Sequence, residues 1–140
     1  MEQNKNLIDE KLLEIARRAR ALSYSPYSEV SVGAALLTES GKVFVGANIE
    51  NAAYSPTVCA ERVAFFRAIS EGQRKFKKIA VAGGTTGEDS TKKFAPCGVC
   101  RQVMAEFCDR DFEIILEGKE GAEVYTLSTL LPEAFDKEKI

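Results

Sequence analysis

Pro96-Cys97-Gly98-Val99-Cys100-Arg101-Gln102-Val103-Met104-Ala105-Glu106-Phe107-Cys108 lies between two apolar runs, Lys78 to Ala82 and Asp111 to Glu117. Gly98 to Cys108 reads as a helix, and the flanking runs read as short strands. Two strands joined through a helix can pair in parallel, so this stretch sets the α/β layering of the chain. It also carries chemistry. Cys97 and Cys100 stand three apart at the start of the helix, where both thiols can converge on one metal ion.

Upstream, Ala60 to Ser70 reads as a helix closed near Glu71-Gly72, and Gly83-Gly84-Thr85-Thr86-Gly87 reads as a loop. Val30 to Thr38 and Lys42 to Ala47 form a hairpin pattern around Glu39-Ser40-Gly41, preceded by the breaker segment Ser23 to Ser28. From Leu7 to Leu22, apolar residues recur at helical steps: Leu7, Ile8, Leu12, Ile15, Ala16, Ala19 and Leu22. Downstream, Ala122 to Thr126 is a strand across the turn Gly118-Lys119-Glu120-Gly121, and Ser128 opens a last short helix that Pro132 interrupts or ends. The order is α-β-β-α-β-α-β-β-α. It predicts a single α/β domain over residues 1–140, a three-layer α-β-α sandwich around a five-stranded mixed sheet.

The chain has 140 residues, 45% hydrophobic and 29% charged, with a net charge of −2, which is the profile of one soluble globular domain. A chain that works by neutralising phosphates is usually basic, so a nucleic acid polymer is not the expected partner. No apolar run approaches the ~20 residues that span a bilayer, so no membrane association is expected. The polar start Met1 to Asn6 lacks a signal-peptide pattern, which predicts a cytoplasmic location. There, cysteines stay reduced and are more often metal-binding or catalytic than disulfide-bonded. Histidine is absent altogether, so metal chemistry must rest on cysteine and carboxylate.

Cys59 supplies a third thiol at another predicted helix start. Helix N-termini favour the thiolate that a metal needs, and zinc fits a sulfur set best. A closed structural site takes four ligands. The fourth cysteine, Cys108, lies about two turns beyond Cys100 on the same helix, too far to share the ion, and in register for core packing. Three thiols leave one position open, which points to catalysis rather than to a structural zinc module. One Cys-x-x-Cys alone would also suit a thioredoxin-like redox pair, against which Cys59-Ala60-Glu61 argues. Glu61 reads either as an ordinary first-turn glutamate or, beside three cysteines, as a general acid and base. Arg62 reads either as a surface residue or as a counter-charge to the thiolates.

At these segments the chain resembles the cytidine deaminase family. Ser25-Pro26-Tyr27-Ser28 leading into Val32-Gly33-Ala34-Ala35-Leu36-Leu37, Asn48-Ile49-Glu50-Asn51-Ala52-Ala53-Tyr54, Cys59-Ala60-Glu61-Arg62, Pro96 to Gln102 and Leu130 to Phe135 all resemble family motifs. The resemblance runs from about Leu12 to Phe135. It departs at Val30, where many relatives carry an aromatic that stacks on the pyrimidine, and at Ala95, where a serine often precedes the proline.

The resemblance implies one Zn2+ per subunit on Cys59, Cys97 and Cys100, with Glu61 as proton shuttle. It implies ribose contacts from Asn48 and Glu50 and a base contact from the Ala60 N–H, with Val30 beside the base. It further implies that Ala52, Tyr54 and Phe135 complete a neighbouring subunit's pocket in a homotetramer. The implied activity is hydrolytic deamination of cytidine and deoxycytidine to uridine and deoxyuridine, with release of ammonia, in pyrimidine salvage. Blasticidin S is the alternative substrate. A polynucleotide-editing deaminase is the rival against which the acidic balance argues.

Overall fold

The computed structural model describes residues 2–140, with side chains from Ile8 onward. Helix α1 (Glu2–Ala19) is followed by strands β1 (Val30–Thr38) and β2 (Val43–Ala47), helix α2 (Ala60–Ser70) and strand β3 (Phe76–Thr85). Helix α3 (Gly98–Phe107), strands β4 (Glu113–Gly118) and β5 (Gly121–Thr126) and the short helix α4 (Leu127–Leu130) complete the order. The five strands form one mixed sheet in the order β2-β1-β3-β4-β5. The pairing of β3 with β4 is parallel and the others are antiparallel. This is the predicted five-stranded α/β arrangement, with α3 as the crossover between the parallel pair.

Side-chain alternation along the strands feeds two cores, because successive residues face opposite sides of a sheet. Ala34, Leu36, Ile79, Val81, Ile114 and Leu116 pack with Ala60, Ala64, Phe65 and Ala68 of α2 and with Cys100 and Met104 of α3. Ala35, Ala80, Ala82 and Ile115 face the other way onto Leu12, Leu13 and Ala16 of α1. The result is three layers. Helix α2 lies so close to β2 that a Cβ on Gly46 would stand 2.4 Å from the Ala60 carbonyl oxygen. Glycine at this position lets the N-terminal turn of α2 sit down on the sheet.

Three expectations need correction. The segment Gly83-Gly84-Thr85, expected in a loop, continues β3: Val32 pairs with Gly83, Ser31 with Gly84 and Val30 with Thr85. Pairing with a long β1 outweighs the weak strand preference of glycine, and at Gly83 the missing side chain is needed. A Cβ there would stand 2.6 Å from the Phe94 ring. At the N-terminal helix, Arg20–Leu22 tightens into a 3-10 turn, and Leu22 is exposed rather than part of the apolar face. Leu13, absent from the expected stripe, is fully buried, and Ile8 is exposed. The Leu7 side chain lies outside the described residues. Cys108 caps α3 and packs against the larger core, and burial pushes its thiol pKa up.

Candidate metal centre and active site

Two helix N-termini meet on the sheet face that carries the larger core. Cys59 is the N-cap of α2 and Cys97 the N-cap of α3, both with extended backbone and no side-chain cap bond. Cys100 lies one turn into α3 and is buried. The parallel crossover explains the meeting: α3 starts where the chain leaves the C-terminal end of β3, the usual ligand end of an open α/β sheet.

The Cys59 and Cys97 sulfurs are 3.6 Å apart, as are those of Cys97 and Cys100, and all three lie within 4.8 Å of one another. Tetrahedral zinc with Zn–S bonds of about 2.3 Å separates its sulfurs by about 3.8 Å, so the thiols fit one zinc ion without rearrangement. The electrostatics favour the thiolate at Cys59. The hydrogen bond with Cys100 pulls the Cys59 pKa down to about 5, against burial and with help from Arg62. That same bond, with burial, holds Cys100 in its protonated form. The Arg62 guanidinium reaches the Cys59 sulfur at 3.4 Å.

Glu61 is 3% exposed in the first turn of α2. Burial raises its pKa to about 7; its own backbone N–H opposes that shift, and the Cys59 charge adds to it. A carboxyl near pH 7 can both take and return a proton at neutral pH. Ala60, beside it, is fully buried.

The segment after β2 is strapped to this centre. Ile49 exchanges backbone hydrogen bonds with Val58, at 3.0 and 2.9 Å, one residue before Cys59. On either side of Ile49 the two expected ribose contacts differ in availability. Asn48 is engaged in holding the start of β1. Its Oδ1 accepts from the Val32 N–H at 2.8 Å and the Ser23 hydroxyl at 2.6 Å, and its Nδ2 donates to the Val30 carbonyl at 2.8 Å. Glu50 is oriented by the Tyr27 and Ser28 N–H groups on Oε1 and by the Ser28 hydroxyl on Oε2. These bonds lower the Glu50 pKa, the Ser28 hydroxyl most of all.

Glu50 and Tyr54 line a cavity of about 310 Å3 with Tyr27, Ser28, Asn51 and Thr57. Val30 lines a different cavity, with Gly83 and Phe94. Ala52, Tyr54 and Phe135 are exposed, and the Phe135 carbonyl accepts a bond from Gln102 on α3 at 2.7 Å. Within one chain, then, the cysteines, Glu61 and Arg62 come together, whereas Tyr54 and Phe135 point to solvent. Ser28 carries no site assignment from its sequence. Its signal, the Ser-Pro-Tyr-Ser segment, marked a turn and not the partner of Glu50.

A profile of the family described as "Cytidine and deoxycytidylate deaminase zinc-binding region" matches residues 7–116. The chain belongs to the cytidine and deoxycytidylate deaminase family. It is 50% identical over 132 residues to a cytidine deaminase of Sporosarcina psychrophila, covering 94% of this chain and 93% of that one. A crystal structure of cytidine deaminase from Burkholderia pseudomallei superposes with a TM-score of 0.80 at 46% identity, covering 89% of this chain and 97% of that one. A blasticidin-S deaminase of Bacillus cereus is 30% identical over 127 residues, 89% of each chain. The matched zinc-binding region contains all three clustered cysteines, which could hold one zinc ion.

Proposed function

We propose that this chain deaminates cytidine and deoxycytidine hydrolytically, giving uridine or deoxyuridine and ammonia. Supporting it above all is the pairing of a three-thiol zinc cluster with one buried carboxyl, Glu61, whose pKa of about 7 suits proton transfer in both directions. The 50% identity to a cytidine deaminase, against 30% to a blasticidin-S deaminase, favours the free nucleoside.

Cys59, Cys97 and Cys100 would hold the ion and leave a fourth position open. Bound there, zinc supplies hydroxide at neutral pH by lowering the pKa of a coordinated water to about 7. Glu61 takes the water proton and passes it to the ring nitrogen beside the amino-bearing carbon, while the water oxygen bonds to that carbon. Glu61 then moves the second proton to the amino group. The carbon–nitrogen bond breaks, ammonia leaves and the ring keeps a carbonyl. Arg62 offsets the negative charge of the thiolates. Glu50, held by Ser28, orients the sugar hydroxyls; Asn48 fixes β1 and offers its remaining amide hydrogen; the Ala60 N–H faces the base carbonyl.

The catalytic unit is the single domain of residues 1–140. A homotetramer with shared sites accounts for the exposure of Tyr54 at 78% and Phe135 at 62%; Ala52 joins them at that contact, and light scattering of the zinc-loaded protein tests the assembly. No helix among the described residues is long and apolar enough to cross a membrane, which agrees with work in pyrimidine salvage in the cytoplasm.

Ultraviolet absorbance of cytidine, deoxycytidine and blasticidin S, each incubated with zinc-loaded protein, tests the reading, with Glu61→Gln as control. Loss of the cytidine or deoxycytidine signal, absent in the variant, supports it. Turnover of blasticidin S alone would replace the substrate, and no turnover of any would overturn the assignment.

A further inference from the structure

A second cavity opens at the C-terminal end of β3, beside the start of α3. Its volume is about 480 Å3, and Val30, Gly83, Thr85, Glu88, Lys92 and Phe94 are among the residues that line it. Val30 and Gly83 project to the same sheet face as Val32, because Val30 follows the alternation of β1 and Gly83 stands opposite Val32. Val32 packs against the core that contains Ala60 and Cys100, and Cys59 packs there too. The cavity therefore lies on the cysteine side of the sheet.

Phe94 is the aromatic group of this lining. Its ring packs against Gly83, where even a methyl group would come within 2.6 Å. The segment that carries it is held at both ends. Lys92 bridges to Gly83; Lys93 pairs with Glu123 at 2.6 Å and lies over the Tyr125 ring; the Pro96 carbonyl accepts from Arg101 at 2.7 Å. Cys97 follows directly. Val30, which lines the same cavity, is fixed by its carbonyl bond to Asn48. The cavity thus combines a ring held against Gly83 with a small aliphatic side chain, a lining that suits a flat heteroaromatic.

We propose that Phe94 is a specificity-determining residue: its ring, seated on Gly83 in the cavity that Val30 also lines, is the surface on which the aminopyrimidine base stacks. The inference rests on the function proposed above. A valine at position 30 has no ring face to give, so the stacking surface comes from the loop that leads into the zinc-binding helix. Glu88 and Lys92 at the rim stay with solvent and the ring takes the base.

Steady-state kinetics on zinc-loaded Phe94→Leu, which keeps apolar bulk and removes the ring, test this. KM for cytidine is expected to rise about 10-fold, the size of one base–aromatic contact, with kcat within 3-fold and one zinc per chain retained. Val30→Phe added to Phe94→Leu restores a ring to the same cavity and is expected to bring KM back to within 3-fold of the wild type. An unchanged KM in Phe94→Leu, or a KM that Val30→Phe leaves raised, overturns the proposal. If Phe94→Leu fails to fold or to hold zinc, Gly83→Ala, which pushes the ring off its seat, is measured instead: a raised KM supports the proposal and an unchanged one overturns it. Wild-type protein without activity on cytidine or deoxycytidine would instead be a failure of the proposed function.

Discussion

The Arg62 guanidinium donates to the Cys59 sulfur at 3.4 Å, setting a permanent positive charge against the thiol that heads α2. Three thiolates and a hydroxide exceed the charge of one Zn2+ by two negative units, and a half-buried cation beside one sulfur removes half of that excess. Arg62→Gln should therefore loosen the metal about 10-fold or more, the usual effect of removing a group that supports metal ligands. Competition with a chromophoric chelator measures it. Unchanged zinc retention would mean that the two helix N-termini suffice.

The buried Glu61 carboxyl makes a signed prediction for protein stripped of metal. Its folded pKa is about 7 against an ordinary 4.5, so between these values the folded state holds a proton that the unfolded chain has released. Stability then falls as pH rises through that window, by about 3 kcal/mol from this group. Glu61→Gln abolishes the term. Chelated Glu61→Gln should gain on chelated wild type from pH 4.5 to 7 in urea midpoints, and parallel curves would refute the assignment. With zinc restored, the same variant should bind metal and turn over no substrate.

Much of the site was legible because it depends on local rules. Cysteines at helix starts, one turn apart or at a cap, imply convergence once the helices are placed, and β1 and α2 begin and end where their patterns do. Long-range contacts were not legible. Gly83-Gly84 carry every local mark of a loop, yet pairing with Val32 and Ser31 makes them strand, and the reason for glycine lies in Phe94, eleven positions on. Leu22 fits a helical stripe until the helix tightens at Arg20, whose guanidinium is drawn to the carbonyls of Ser31, Thr85 and Glu88. Asn48 looked available for a ligand, whereas three strong bonds already engage it. Composition carries no trace of such bonds.

A buried ion cluster ties the outer layer to the sheet. Lys78 on β3 reaches Asp9 on α1 at 2.7 Å and Glu113 on β4 at 3.2 Å, with Lys78 and Asp9 almost wholly inaccessible. Removing one partner of such a pair strands the other charge and costs about 3 kcal/mol or more, whereas replacing both by apolar groups can be nearly neutral. Asp9→Ala should lower the urea midpoint accordingly, and Asp9→Ala with Lys78→Met should recover most of the loss. A single variant as stable as the wild type would show that Glu113 alone satisfies the lysine.

Ser28 binds Glu50 twice, through its N–H at 3.1 Å and its hydroxyl at 2.5 Å, and its hydroxyl also accepts the Val30 N–H at 3.1 Å. One side chain thus sets both the carboxylate proposed for the sugar and the first residue of β1. Ser28→Ala removes the hydroxyl and leaves the two backbone donors on Oε1, so Oε2 is free to turn. The expected result is a KM for cytidine raised about 5-fold, the effect of one lost hydrogen bond, with kcat and zinc content unchanged. Ser28→Thr keeps the hydroxyl and should restore KM. A fall in kcat at constant KM would instead tie Ser28 to the reacting carbon rather than to the sugar.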